Sequence, residues 1–443
     1  MNAYIIRPTE ITDAMLISTN IPETDSTKGE WTVGTAFMAG DTCRVTTTGI
    51  HNVYEALVNV TGGSSPEVDV LAATPKWLDT GKTNRWKPFD KVIGSQASQA
   101  SPINYVLKPG ITDSLSIQNV EATSIQVVLA DQSYDTVTNG TAWTGATGTT
   151  QPTGWDKVGT PSDYLIDSGA LKITAAGNNE GISQTITVVP GTEMQFLGIY
   201  RNIASDIAQY AVYDVTHSAD ILATTDLASS IVDSTLSYIF TVPAGCTSIK
   251  ISLLAKSTGN IVWFDTVSLA PTVYNETTNL VSTINVIDEY TYWFEDFLWK
   301  TSLTVSNIPP YPSATVTVIV TNQGGTAKCG AIIPGVKLEL GKLQLSPQPG
   351  LDSFSTLTEN TTFGTWSVVK RSTRRKMQFK LFVEIARLDF IMQQMALYDS
   401  ELLVWVGYES LECLAIYGFY RTFTPSIDYN NWTIIDVEVR GII

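Results

Sequence analysis

The sequence predicts a mainly β protein: β-sandwich or jelly-roll domains followed by a C-terminal α+β domain. Three observations carry this. The chain has 443 residues, too many for one core at roughly 100–200 residues per domain. Only 16% of them are charged, below the roughly 25% of ordinary soluble domains, and Thr, Ser, Asn, Gly and Val fill the gap. Short β-prone runs punctuated by Gly, Pro and Asn fill nearly the whole length, and a single stretch has convincing helical spacing.

The elements follow in order. Residues 1–28 form an arm in which Ile5, Ile6, Ile11 and Leu16 are separated by polar residues. So short a segment buries little alone, and the expectation is that it packs on a neighbour. Residues 29–92 form a small β module punctuated by Gly34, Gly40, Gly49 and the Gly62-Gly63 pair. Residues 93–131 open a second unit. In its run TSIQVVLA, apolar and polar residues partly alternate, as on a half-buried strand.

From Asp131 the composition shifts to a Thr/Gly-rich stretch, TNGTAWTGATGTTQPTGWD, and a new series of strand runs follows, from GALKITAA to NIVWFDTVSLAP. Their spacing predicts a β-sandwich. The earlier style resumes at Val273. Residues 132–272 therefore read as a domain inserted into a host sandwich made of 93–131 and 273–345. The aromatic run YTYWFEDFLW (290–299) reads as a strand covered on both faces. The last unit, 346–443, holds strands around one helix at about 384–398, where Ile385, Leu388, Ile391, Met392 and Met395 share a face.

Charge and composition exclude several function classes. The net charge of −16 disfavours phosphate backbones and anionic membrane surfaces, so no nucleic-acid partner is expected, and no apolar run is long enough to span a bilayer, so no membrane insertion is expected. The four cysteines, Cys43, Cys246, Cys329 and Cys413, form no CxxC and read as buried thiols. The start MNAYIIRPTEITDAML lacks a basic region followed by an apolar one, so synthesis in a cytoplasm is expected.

Four passages carry a family resemblance: TNRWKPFDKVIGSQ (83–96), LTVSNIPPYPSATVTVIV (303–320), CGAIIPGVKLELG (329–341) and AIYGFYRTF (415–423). Together they resemble a family of tail-associated structural proteins of tailed bacteriophages infecting Gram-negative bacteria. The resemblance covers about two-thirds of the chain. It implies a virion location in the tail or baseplate, other tail proteins and further copies of this chain as partners, and no catalytic residues. The insertion at 132–272 is the departure. That segment, through GALKIT, GISQTITVVPGTEM, FTVPAGCTSIKI and VWFDTVSL, resembles jelly-roll carbohydrate-binding modules, and residues 29–79 loosely resemble small chitin-binding modules through Trp31, GTAFMAGD, Tyr54 and Trp77.

Sugars offer C–H faces that stack on flat rings and hydroxyls that need polar partners. In the insert, Trp143, Trp155, Tyr164, Tyr200, Tyr210 and Tyr213 are the candidate glycan-stacking residues, with host cell-surface polysaccharide the implied ligand. Trp143 and Trp155 sit in Gly/Thr-rich loops with little apolar company, which predicts exposure. Protein–protein packing is the competing role for both. Trp263, in the run NIVWF, reads as core, and so do Trp31, Trp77 and Trp86 of the first unit.

Jelly-roll modules often carry a structural calcium ion, and the resemblance places Asp265 where a ligand carboxylate would sit. No other cofactor is implied. The basic cluster Lys370, Arg371, Arg374, Arg375 and Lys376 stands out in an acidic chain and reads as an electrostatic dock for an acidic neighbour or as a solvated turn. Catalysis finds little support. Glu295 and Asp296 are adjacent, so on a strand they point to opposite faces and cannot flank one glycosidic bond. His51 and His217 lack any nucleophile signature and read as surface or turn residues. The chain thus reads as non-enzymatic, the alternatives being a glycan-degrading enzyme or an adhesin with accessory carbohydrate-binding modules.

Overall fold

The computed structural model describes residues 2–203, 205–282, 288–294, 298–345, 347–360, 364–427 and 429–442. Strands dominate, in two ten-stranded antiparallel sheets, one five-stranded sheet and smaller ones.

The host sandwich follows the alternation seen in sequence. Strand Ser124–Asp131 points Ile125, Val127 and Leu129 into a core shared with Ile103, Tyr105 and Leu107 and with Val316, Val318 and Val320. The facing layer contributes Leu115 and Ile117 from Ser114–Glu121, and Cys329 and Ile332 from the long strand Thr326–Leu343. Trp86 and Phe89 belong to this core, so the small module ends at Lys82 rather than at residue 92. The module's own core holds Phe37, Cys43, Tyr54 and Trp77, with Trp31 packed beside it, as the sequence predicts for Trp31 and Trp77.

The N-terminal segment departs from expectation. Strand Asn2–Pro8 does not wait for a neighbouring subunit. It pairs on one side with Thr326–Leu343 (Ile6↔Lys337) and on the other with Leu403–Val406 (Ile6↔Val404). Gly335 permits the first pairing, because a Cβ there would lie 2.1 Å from the Arg7 carbonyl oxygen.

This strand completes a closed antiparallel barrel. Going round, Asn2–Pro8 is followed by Leu403–Val406, Ala415–Ser426, Trp432–Gly441 and Thr373–Glu384, and the pairing Lys342↔Phe382 returns to Thr326–Leu343. Closure removes the unpaired edges of an open sheet. Ala3, Ile5, Phe379, Leu381, Trp405 and Val437 fill the interior. The expected helix spans Ile385–Leu397 and adds Ile391 and Met395 to that core. The C-terminal unit is α+β, but it cannot close without residues 2–8 and 338–343.

The insert is a two-sheet sandwich with its own core. It is not bounded by a loop at 272. Strand Ile261–Asn279 pairs with the insert strands Ala170–Thr174 and Glu193–Asn202 through its first part and with host strand Ser124–Asp131 through its second. The run 290–299 is also corrected. Glu289–Phe294 is a short helix, with Trp293 73% exposed. Of the cysteines, three are buried thiols and Cys413 is exposed.

A candidate carbohydrate-binding trough

The insert's five-stranded sheet runs in the order Asp156–Val158, Glu180–Thr187, Ser248–Ala255, Ala208–Asp214, Ala219–Asp226. Alternation divides its side chains. Ile182, Ile186, Ile249, Ile251, Leu253, Tyr210 and Val212 enter the core. The residues between them face the other way.

Register assembles that outer face. Asp156 pairs with Ser183, Ser183 with Ser252, and Ser252 with Ala211, forming one row across four strands. A second row runs Thr185, Lys250, Tyr213, and a third runs Val158, Gly181, Leu254, Gln209. The middle of this face is made of small groups that are nevertheless buried: Ser183 is 5%, Ser252 8% and Ala211 9% exposed. In the flanking rows Leu254 and Gln209 are buried as well, and Lys250 and Tyr213 are half-buried. Gly181 has no room for more, since a Cβ there would meet the Leu253 carbonyl oxygen at 2.1 Å. The face is therefore a trough about 14 Å along its central row, at roughly 4.8 Å per strand.

Its walls carry chemistry suited to a sugar. Tyr213 is half-buried, and the Lys250 ammonium lies 5.2 Å from its ring centroid. Gln209 donates from Nε2 to Asp226 Oδ1 at 2.7 Å, and Lys256 pairs with the other Asp226 oxygen. Those two partners hold the Asp226 carboxyl below its ordinary value. Gln209 is buried, and its Oε1 has no hydrogen-bond partner among the described residues. A buried acceptor without a donor is costly; a ligand hydroxyl would satisfy it. Asp156 and Thr185 are exposed at the margin and add polar groups.

Of the six aromatics predicted from sequence, only Tyr213 reaches this surface. Trp143 is 5% and Trp155 3% exposed, with ring centroids 5.5 Å apart. The Trp155 indole N–H donates to the Thr138 carbonyl at 3.0 Å. Tyr164 donates to Gly181 O at 2.7 Å, and Tyr200 to Ala228 O at 3.0 Å. Burial pushes both phenols well above their ordinary value. Tyr210 packs between Phe196 and Tyr238. All five are core residues with no ring face free for a sugar. Trp263 is corrected in the opposite direction. It lies half-buried on the outer face of the other insert sheet, between Arg201 and Lys172, with its N–H on Asp167.

Asp265 stands near Asp233 and the Arg201 guanidinium. Burial, then Asp233, raises its carboxyl pKa, and Arg201 opposes them. Calcium takes six to eight oxygens. Among the described residues no group of three or more His, Cys, Asp or Glu side chains is placed to hold a metal.

The basic cluster is divided. Arg374 and Lys376 pair with Asp352, at 3.2 and 2.7 Å, and Arg375 pairs with Glu412 at 2.7 Å. Only Lys370 and Arg371 extend into solvent without an ion pair among the described residues. Glu295 and Asp296 lie outside the described residues. His217 follows its expected turn, with Nδ1 2.6 Å from Asp214. His51 is not a surface residue: it is 9% exposed and stacks on Trp86. No helix among the described residues is long and apolar enough to cross a membrane.

No family model matches the chain, and no curated protein matches it. Solved structures resemble part of it. One is a family 4 carbohydrate-binding module, 16% identical over 31% of this chain and 99% of that one, with a TM-score of 0.25. Another is the enzymatically active domain of tailspike protein 4 of bacteriophage CBA120, 16% identical over 31% of this chain but only 21% of that one, with a TM-score of 0.24. A third is the CBM22-1 xylan-binding domain from Paenibacillus barcinonensis Xyn10C, 14% identical over 30% of this chain and 96% of that one, with a TM-score of 0.23. At such TM-scores the choice of ligand rests on the trough.

The trough residues Ser183, Ser252, Ala211, Gln209 and Lys250 are not among those the sequence singles out. The signal was there in principle: each falls between core positions of an alternating strand.

Proposed function

We propose that this chain is a non-catalytic structural protein of a phage tail or baseplate, and that its inserted sandwich holds host-surface polysaccharide in the trough of the five-stranded sheet. The observation that carries the glycan reading is the row Asp156, Ser183, Ser252, Ala211, small and buried at its centre, flanked by Tyr213 and by Gln209 with its unpartnered oxygen. Small floor residues let a pyranose ring approach the sheet. Tyr213 supplies a stacking face, and Gln209, Asp156 and Lys250 supply hydrogen bonds to hydroxyls. Contacts of this size are weak singly and become useful when many copies on one particle engage together. The tail assignment is supported by the passages at 83–96, 303–320, 329–341 and 415–423.

Affinity electrophoresis of the full chain through gels containing host polysaccharide tests the reading. The parent chain is retarded, Tyr213→Ala and Ser183→Phe migrate freely, and no reducing ends accumulate. Equal retardation of all three chains, or release of reducing sugar, contradicts it.

A further inference from the structure

The strands Thr356–Asn360 and Thr365–Val369 pair with each other and with no other described strand. They continue outward from the barrel-edge pair Gln348–Ser353 and Thr373–Glu384. The register Leu357↔Val368 and Glu359↔Trp366 sets Leu357, Trp366 and Val368 on one face, with Glu359 beside Trp366. They are 60%, 58% and 61% exposed. A two-stranded hairpin is marginal by itself in water, and an apolar face of this kind marks an interaction surface. Lys370 and Arg371 stand exposed at its foot.

A surface of matching character lies elsewhere on the same chain. The helix Ile385–Leu397 turns Phe390 and Leu397 outward, and Asp389, Asp399 and Glu401 are exposed beside them. A groove of about 530 Å³ runs from Leu397 and Glu401 to Glu10 and Phe89; Arg7 and Lys91 also line it, Lys91 paired with Glu10 at 3.1 Å. The hairpin pairs an apolar face with bases at its foot, and the exposed helix side pairs Phe390 and Leu397 with the acids Asp389, Asp399 and Glu401.

The two surfaces leave one barrel strand at its opposite ends. The hairpin leaves the Thr373 end of strand Thr373–Glu384, and the helix begins beyond its Glu384 end. At about 3.3 Å per residue the ends are roughly 36 Å apart, and the hairpin points away.

We propose that the hairpin of one copy seats on the helix and groove of a second copy, head to tail. Leu357, Trp366 and Val368 cover Phe390 and Leu397, while Lys370 and Arg371 face Glu401 and Asp389. A contact between two different surfaces of one chain closes into a ring or propagates as a filament. The hairpin and the trough share no residue, so this contact and the glycan reading stand or fall separately.

Sedimentation velocity of the full chain across a concentration series tests it, with far-UV circular dichroism to establish folding. The parent chain self-associates. Trp366→Glu and the pair Lys370→Glu with Arg371→Glu fold normally and associate at least about tenfold more weakly. Glu401→Lys restores association to the Lys370→Glu, Arg371→Glu chain. In a Cys413→Ser background, mixing a Val368→Cys chain with a Leu397→Cys chain gives a disulfide-linked dimer that neither gives alone. A chain that stays monomeric at every concentration overturns the proposal. So does association unaffected by Trp366→Glu, or a Val368→Cys chain that cross-links efficiently to itself.

Discussion

The Trp143 indole N–H donates to the backbone carbonyl of Asp265 at 2.6 Å. This bond joins a loop tryptophan, expected to stack on sugar, to the residue expected to hold calcium, and gives both a structural part. The loop folds inward, Trp143 meets Trp155, and the two close one end of the insert core.

Trp143→Ala is therefore a stability mutation. Removing a buried aromatic costs about 3–5 kcal/mol, and the orphaned Asp265 carbonyl adds to that. Chemical denaturation of the full chain will show the loss in the insert transition. Polysaccharide retention per folded molecule will be unchanged.

Tyr213→Ala has the opposite signature. The ring is half-buried on the outer face and carries no core packing. Its loss costs less than about 1 kcal/mol, in the range of surface substitutions, and removes the stacking face. Thermal unfolding will match the parent, while retention in polysaccharide gels falls.

Much of the fold was legible in the residues, and the site was not. Ile125, Val127 and Leu129 alternate in sequence and line one core, and the spacing Ile385, Leu388, Ile391, Met392, Met395 gave the helix within a residue of its bounds, although Met392 is 37% exposed and off the buried face. The barrel was hidden because its closing strands, Asn2–Pro8 and Leu403–Val406, lie about four hundred residues apart and each is too short to show where its partners are. The insert boundary was hidden because strand Ile261–Asn279 passes through it without a turn. The trough was hidden for a different reason. Ser183, Ser252 and Ala211 have no distinctive chemistry singly and become a site only through register across strands. Trp143 looked exposed because burial by a folded loop leaves no local apolar pattern.

Ile5→Ala tests the barrel. Ile5 is fully buried, on an N-terminal strand held between two strands from the C-terminal part of the chain. Its truncation will cost about 2–5 kcal/mol. Hydrogen exchange will show loss of protection in both Thr326–Leu343 and Leu403–Val406, which an arm docked on another subunit would not produce.

His51 gives a pH dependence. Its Nδ1 lies 2.9 Å from Glu23 and its Nε2 3.2 Å from Asp13, the latter an ion-pair contact without hydrogen-bond alignment. Thr83 and Arg85 also face Glu23. Burial alone would lower the imidazole pKa, but the two carboxylates outweigh it and raise the pKa above 6.5. Burial alone would raise Glu23, but hydrogen bonds from His51 and Thr83 outweigh it and hold the carboxyl below 4.5. The His51 contribution is complete below its unfolded pKa and is lost as pH rises through the raised folded value. The Glu23 contribution is present above its unfolded pKa and is lost as pH falls through the lowered one. The seam between the small module and the host is thus firmest between about 4.5 and 6.5. Fluorescence of Trp86, stacked on His51 at 4.5 Å, will change as pH rises above that window, and His51→Gln will abolish the change.

A crystal of the full chain soaked with oligosaccharides from a retained polysaccharide examines the trough itself. Sugar density over Ser183, Ser252 and Ala211, with one ring against Tyr213 and a hydroxyl on Gln209 Oε1, is the predicted result. Density on the opposite sheet around Trp263, or an empty trough with a glycan that the full chain demonstrably retains, would contradict it.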